Sequence, residues 1–305
     1  MSDRPDNDPL VELLRLMRVS SWIYANPRVC GRWRLDSKVH GAATFHFVVR
    51  GTAWLHIERG IPPTALRAGD LVVFPRDVPH ALSGEFELPE PDRSAAGVGA
   101  GAATDLVCGQ FDLLEPAASM LLDSLPAVLV IDGEAAIPGL SGLGRLLASE
   151  ADTHALGRQL VLERLSDVLF VAILRYVVAS GRVTRGVLAG LGDPGVSRAL
   201  AAMTGEPGAA WTLATLAARA GMSRTVFAQQ FARLVGEPPI SWLTRLRMER
   251  GAALLDERSR SVGQVAEALG YRTEAAFRRA FKRSRGIGPG AHRRGGAVTP
   301  ENPRP

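Results

Sequence analysis

Cysteine is scarce: the 305 residues hold two, Cys30 and Cys108. Long hydrophobic runs are missing as well. The densest, Val168 to Leu174, is followed at once by Arg175 and is too short to span a bilayer. The stretch Met1 to Pro9 is polar, with acids and no apolar core, so it does not read as a secretory signal. These absences exclude a disulfide-stapled secreted domain and a helical membrane protein. They predict a cytoplasmic chain with both thiols reduced at rest. Aromatic residues are few, at 6%, and only Lys38 and Lys282 among the 36 cations are lysine. Hydrophobic residues nevertheless make up 46%, enough for ordinary cores, and the length suggests two domains.

Charge is unevenly divided. Residues 1–196 hold 18 Lys and Arg against 23 Asp and Glu, a net of −5; residues 197–305 hold 18 against 8, a net of +10. A compact basic third is the electrostatic footprint of a nucleic-acid binder, although a solvated basic surface gives the same count.

Pattern changes along the chain. Residues 10–18 read as a short amphipathic helix. Residues 20–113 alternate apolar and polar positions around Gly and Pro, as in Phe45-His-Phe-Val-Val-Arg-Gly and Leu71-Val-Val-Phe-Pro, which predicts a small antiparallel barrel or sandwich. Residues 87–104 read as a surface loop before a strand at 105–113. From about 114 the spacing is helical. Residues 168–174 are apolar nearly all round, which calls for burial on several sides, in a dimer interface or against the sheet. Glycines from Gly181 to Gly195 suggest a hinge. The expected fold class is α+β: a small β-barrel-type domain (1–125), a helical dimerisation and linker region (126–196), an all-α domain (197–295) and a disordered tail (296–305).

The strongest signal is an internal repeat with an offset of about 50 residues. In one copy Thr212 caps a helix with apolar Leu213, Leu216, Ala217 and Ala220; in the other Ser261 caps one with Val262, Val265, Ala266 and Leu269. Gln264 stands three residues after Ser261, the capping-box spacing. Gly221 and Gly270 close these helices where a positive φ is expected. Ser223 and Thr273 then open second helices that bury Phe227 and Phe231, or Phe277 and Phe281. Helix, glycine turn and second helix describe a helix-turn-helix, here present twice and joined by a helix from Pro239 to Asp256.

On these residues, 197–294 resembles the DNA-binding domain of AraC-type regulators. The closing Gly286-Ile-Gly-Pro289 fits that family, whereas its usual Tyr after the proline is replaced by Gly290, a departure that touches packing of the last turn. The resemblance implies double-stranded DNA as partner, with each second helix in a major groove and the two grooves about one helical turn apart. The positions carried over are Arg224, Thr225, Ala228 and Gln229 in the first unit and Glu274, Ala275, Arg278 and Arg279 in the second. Arg278 or Arg279 suits guanine and Gln229 adenine; Glu274 either accepts from cytosine or offsets Arg charge. Lys282, Arg283 and Arg285 suit phosphates.

In the N-terminal half, Gly69-Asp-Leu-Val-Val-Phe-Pro-Arg-Asp-Val-Pro-His80 resembles the second cupin motif. The first motif lacks its Glu, leaving His40, His46 and His80 as a partial divalent-metal site, as the lining of a small-ligand pocket, or as core groups. Residues 8–125 also resemble the sensor half of a reactive-chlorine-responsive AraC branch, on Cys30-Gly, Phe45-His46, Pro79-His80, Cys108-Gly and Ser124-Leu-Pro126. That resemblance implies redox sensing by Cys30 and Cys108, through a sulfenic acid and a disulfide. The opposing reading is that Cys108 is a small buried hydrophobe.

The expectation is therefore a homodimeric, non-enzymatic transcription activator that answers an oxidant or small-molecule inducer, with no certain cofactor. Two alternatives stand beside it: a metal-dependent cupin oxygenase or isomerase fused to a DNA-binding domain, and a ligand-free cupin dimerisation scaffold.

Overall fold

The structure, a computed structural model, describes residues 8–15, 19–37, 43–57, 61–76, 78–90, 103–113, 119–122, 124–257 and 259–295. His40 and the expected tail at 296–305 lie outside them. In chain order the elements are α1 (Pro9–Arg15), β1 (Val19–Ala25), β2 (Arg28–Val29), β3 (Arg34–Asp36), β4 (Ala43–Arg50), β5 (Thr52–His56), β6 (Thr64–Arg67), β7 (Leu71–Phe74), β8 (Ala81–Ser83) and β9 (Thr104–Leu113). There follow α2 (Ser119–Leu122), β10 (Leu129–Ile131), α3 (Gly133–Ala136), α4 (Leu140–Asp152), α5 (Arg158–Ser180), α6 (Val187–Gly192) and α7 (Pro194–Gly205). The last are α8 (Leu213–Ala220), α9 (Arg224–Val235), α10 (Pro239–Asp256), α11 (Val262–Ala268), α12 (Glu274–Arg285) and α13 (Pro289–Arg293). The architecture is α+β. Two compact units are present: one of residues 19–114 and 125–183, the other of the remaining stretches, so α1 and α2 belong with the C-terminal helices.

The sheet unit holds two antiparallel sheets. One runs β1-β9-β4-β7-β10, with β2 also on β9; the other runs β3-β8-β5-β6. Between them lies a core that includes Val48, Leu55, Leu66, Phe74, Leu82, Leu106 and Cys108. Six consecutive residues of β4 are buried, because both faces of this central strand are covered. His46 and Val48 take the face between the sheets. Phe45 stacks on Phe111 at 4.8 Å, and Phe111 meets Phe170 of α5 at 4.9 Å on the helical side.

Two expectations from the sequence need correction. The chain is not wholly helical after 114, since Leu129–Ile131 forms β10 and pairs with β7. A three-residue apolar run has too little length to separate strand from helix by period. The glycine-rich stretch 180–196 is not all hinge. Val187 and Leu188 are buried in α6, and the Asp193 carboxylate accepts from the Gly195 and Val196 amides to start α7.

Helix α4 approaches β4 closely because Gly144 has no side chain. A Cβ there would stand 1.9 Å from the Phe47 ring. Gly144→Ala must displace that ring in a filled core, at a cost of about 1–3 kcal/mol. Urea denaturation of the variant is expected to show a lowered midpoint at unchanged slope; an unchanged midpoint would contradict this packing.

Candidate nucleic-acid interface and sensor cavity

In the helical unit each repeat is built from the local chemistry that its sequence carries. Thr212 and Ser261 accept from the amides of Thr215 and Gln264, and both of those side chains reach back to the capping backbone. Ser223 and Thr273 cap α9 and α12. Gly221 and Gly270 turn the chain at φ +72° and +74°, where a Cβ is disfavoured. Phe227, Phe231, Phe277 and Phe281 are fully buried. Helix α10 serves both repeats. Its first half contributes Trp242, edge-on to Phe231 at 6.2 Å, and its second half contributes Met248, Ala252 and Leu255 to the core around Phe277.

With the phenylalanines inward, the opposite faces of α9 and α12 are open. Arg224, Thr225 and Gln229 are exposed and Ala228 is half-buried; Ala275, Arg278, Arg279 and Lys282 are exposed. Glu274 is half-buried and pairs with Arg278, accepting from its Nε at 2.7 Å. This i,i+4 pair supports the charge-offsetting reading of Glu274. Arg285 departs from the expectation of a phosphate contact. It is half-buried, pairs with Glu249 at 2.5 Å and ties α12 to α10. Val226, missed in the sequence reading, is 53% exposed beside Thr225 on α9. Its signal was an apolar residue off the buried i,i+4 phenylalanine stripe.

The two repeats also touch through backbone. A Cβ at Gly270 would lie 2.1 Å from the Gly208 carbonyl oxygen, and one at Gly208 would lie 2.3 Å from that of Ala268. The loop before α8 therefore rests on the turn between α11 and α12. Arg247 of α10 pins that loop, donating to the Pro207 carbonyl at 2.6 Å and the Ala209 carbonyl at 2.8 Å.

The sheet unit contains a cavity of about 270 Å³ whose lining includes Tyr24, Leu35, Asp36, Ser37, His46 and Cys108. His46 and His80 meet Nε2 to Nε2 at 2.7 Å, and His80 Nδ1 lies 2.7 Å from the Val78 carbonyl. The His80 ring stacks on Phe74 at 3.7 Å. Burial pushes His46 down to about 3, and a proton taken up by His80 in acid pushes the same way. The structure thus brings together two of the three expected histidines. Among the described residues no group of three or more His, Cys, Asp or Glu stands ready to hold a metal.

The two cysteines are not brought together. Cys108 is buried next to His46 in the β4–β9 register, and burial pushes its thiol up to about 12. Cys30 is half-exposed and follows Val29, whose partner on β9 is Thr104. Cys108 lies four residue steps along the strand from Thr104, so the two cysteine Cα atoms stand on the order of 15 Å apart at about 3.4 Å per residue. A disulfide needs less than about 7 Å. The arginines around Cys30 are engaged with carboxylates: Arg28 with Asp105, Arg32 with Glu85 and Arg34 with Asp36.

Comparison with known proteins agrees with both halves. A family model described as "Cupin" matches residues 8–179, and one described as "Helix-turn-helix domain" matches 216–295. A putative AraC-like transcription regulator from Streptomyces antibioticus is 31% identical over 94% of this chain and 98% of its own. The RCS-specific HTH-type transcriptional activator RclR of Escherichia coli K12 is 29% identical over 94% of this chain and 97% of its own. A crystal structure of the AdpA DNA-binding domain in complex with a target DNA matches at 35% identity, covering 34% of this chain and 92% of that one, with a TM-score of 0.32. The chain belongs to the AraC family of transcription regulators, with an N-terminal cupin domain and a C-terminal helix-turn-helix domain. It is a DNA-binding regulator, and no helix among the described residues is long and apolar enough to cross a membrane.

The clamp between the repeats gives a test. Arg247→Ala removes two charge-assisted hydrogen bonds from half-buried carbonyls and is expected to destabilise the helical unit by about 2–4 kcal/mol. Arg247→Lys is not expected to restore it, because a point ammonium lacks the guanidinium fork. Denaturant titration of both variants checks this. Wild-type stability in Arg247→Ala would remove the clamp.

Proposed function

We propose that this protein is a non-catalytic, cytoplasmic transcription activator that reads DNA with α9 and α12 and whose cupin unit senses a small inducer. In this reading residues 1–125 sense, 126–196 dimerise and 197–295 bind DNA. The observation that carries it is the shared orientation of chemistry in the two repeats: buried phenylalanines on one face of each second helix, and Thr225, Gln229, Arg278 and Arg279 exposed on the other. Arg278 and Arg279 read guanine, Gln229 reads adenine, and Val226 offers an apolar contact to a thymine methyl. Lys282 holds phosphate.

Dimerisation is assigned to α5. Leu160, Val161, Val168 and Val171 are exposed along it although they are apolar, while Leu162, Leu169, Ile173 and Val177 on its other face are buried on the sheet unit. A second copy of the same stripe covers it in a two-fold pair.

Redox sensing is the second reading. The half-exposed Cys30 thiol favours it, and a relative is named RCS-specific. Cys108 contributes only after β2 and β9 shift, because burial holds it as the thiol. A divalent metal at His46 and His80 has less support, since their Nε2 atoms face each other at hydrogen-bond distance and His80 Nδ1 meets the Val78 carbonyl.

A duplex selected from a random pool by the full chain supplies the probe. Arg278→Ala with Arg279→Ala is expected to weaken binding to it by about 1–3 kcal/mol per base contact and to relax selectivity at those positions. Full retention of affinity and selectivity would overturn the assigned reading. Val168→Glu, read by analytical ultracentrifugation, is expected to give monomer under conditions where the parent is a dimer. An unchanged dimer would move the interface elsewhere.

A further inference from the structure

We propose that the cavity beside His46 binds an uncharged organic molecule that donates a hydrogen bond to His46 Nδ1. This rests on the reading of the cupin unit as a small-molecule sensor and adds the chemical class of the inducer.

The argument follows the protons. With His80 neutral, its Nδ1–H donates to the Val78 carbonyl at 2.7 Å, which leaves its Nε2 with a lone pair. The facing His46 Nε2, 2.7 Å away, then carries the hydrogen and donates it. Neutral imidazole holds one hydrogen, so His46 Nδ1 is left as an acceptor. That atom is buried and has no hydrogen-bond partner. A buried acceptor without a donor is a rarity that a bound group relieves. His46 lines the cavity, and Phe74 stacked on His80 keeps the donor pair in place.

Charge sets the rest of the class. Burial keeps His46 neutral and Cys108 a thiol near pH 7, and it also raises Tyr24. Asp36, the carboxylate in the lining, is held by Arg34 at 2.8 Å. Among the described lining residues no cation is offered to an anionic ligand, and the carboxylate already has its counter-ion. At about 270 Å³ the space lies just below the usual range of ligand pockets and suits a molecule the size of a single substituted ring.

Three probes of similar size separate the terms when titrated calorimetrically into the full-length protein: phenol, neutral with a donor; anisole, neutral without one; and benzoate, an anion. Phenol is expected to bind one per chain, with anisole and benzoate at least about tenfold weaker. His46→Phe should bring phenol down to the level of anisole. Because that variant changes a core strand, nitrogen-15 spectra of histidine-labelled parent protein provide a second readout, in which the His46 Nδ1 resonance moves with phenol and not with anisole. Equal binding of anisole and phenol, tighter binding of benzoate, or no saturable phenol binding overturns the proposal. DNA affinity measured in parallel keeps the two readings apart. Phenol bound at His46 without any change in affinity for the selected duplex supports the cavity assignment and removes the sensing reading. Intact DNA binding with no phenol binding removes this inference alone.

Discussion

Two helix-turn-helix units recognise one duplex only if their separation and orientation are fixed, and here that constraint falls on a few backbone atoms. Gly208 and the Ala268–Gly270 turn approach so closely that neither glycine has room for a methyl group. Arg247 holds the loop in that position through two carbonyls, and α10 runs through both cores. The arrangement is stiff because its parts are short-range and packed. Close-packed interiors have discrete arrangements rather than a continuum. The exposed residues of α9 and α12 inherit their placement from that contact.

The sheet unit works by the opposite means. Its central strands are covered on both faces, which removes water and keeps ionisable groups neutral. The same burial that stabilises Phe45, Phe47 and Phe74 depresses the His46 pKa and raises that of Cys108. A neutral, partly unsatisfied polar group within an apolar shell confers chemical selectivity without a charge. A fixed pair of exposed helix faces and a cavity beside the unsatisfied His46 acceptor fit the proposed ligand-responsive regulator, in which an inducer would act by favouring one of two states.

Much of the helical unit was legible in the sequence because its determinants are local. The Ser261–Gln264 box, the positive-φ Gly221 and Gly270, and the phenylalanines four apart are patterns within one turn or one helix. Thr215 completing the Thr212 box was not read, since Thr is not the usual residue there. The parts that stayed hidden depend on partners far away in the chain. Arg285 looked like a free phosphate ligand until Glu249 appeared beside it; Arg247 showed no pattern at all; and Gly144 was one glycine among 32 until Phe47 stood over it. The histidines were found by motif, but the His46–His80 contact is a matter of strand register. The separation of Cys30 from Cys108 is likewise fixed by β2 pairing near one end of β9, which residue spacing does not reveal.

Hydroxyl-radical footprinting of the full chain on its selected duplex addresses the central claim most directly. A rigid pair of reading helices predicts two protected tracts on one face of the DNA, their centres about 10–10.5 base pairs apart for each protomer. A single tract per protomer, or two whose spacing varies freely between selected sequences, would contradict it.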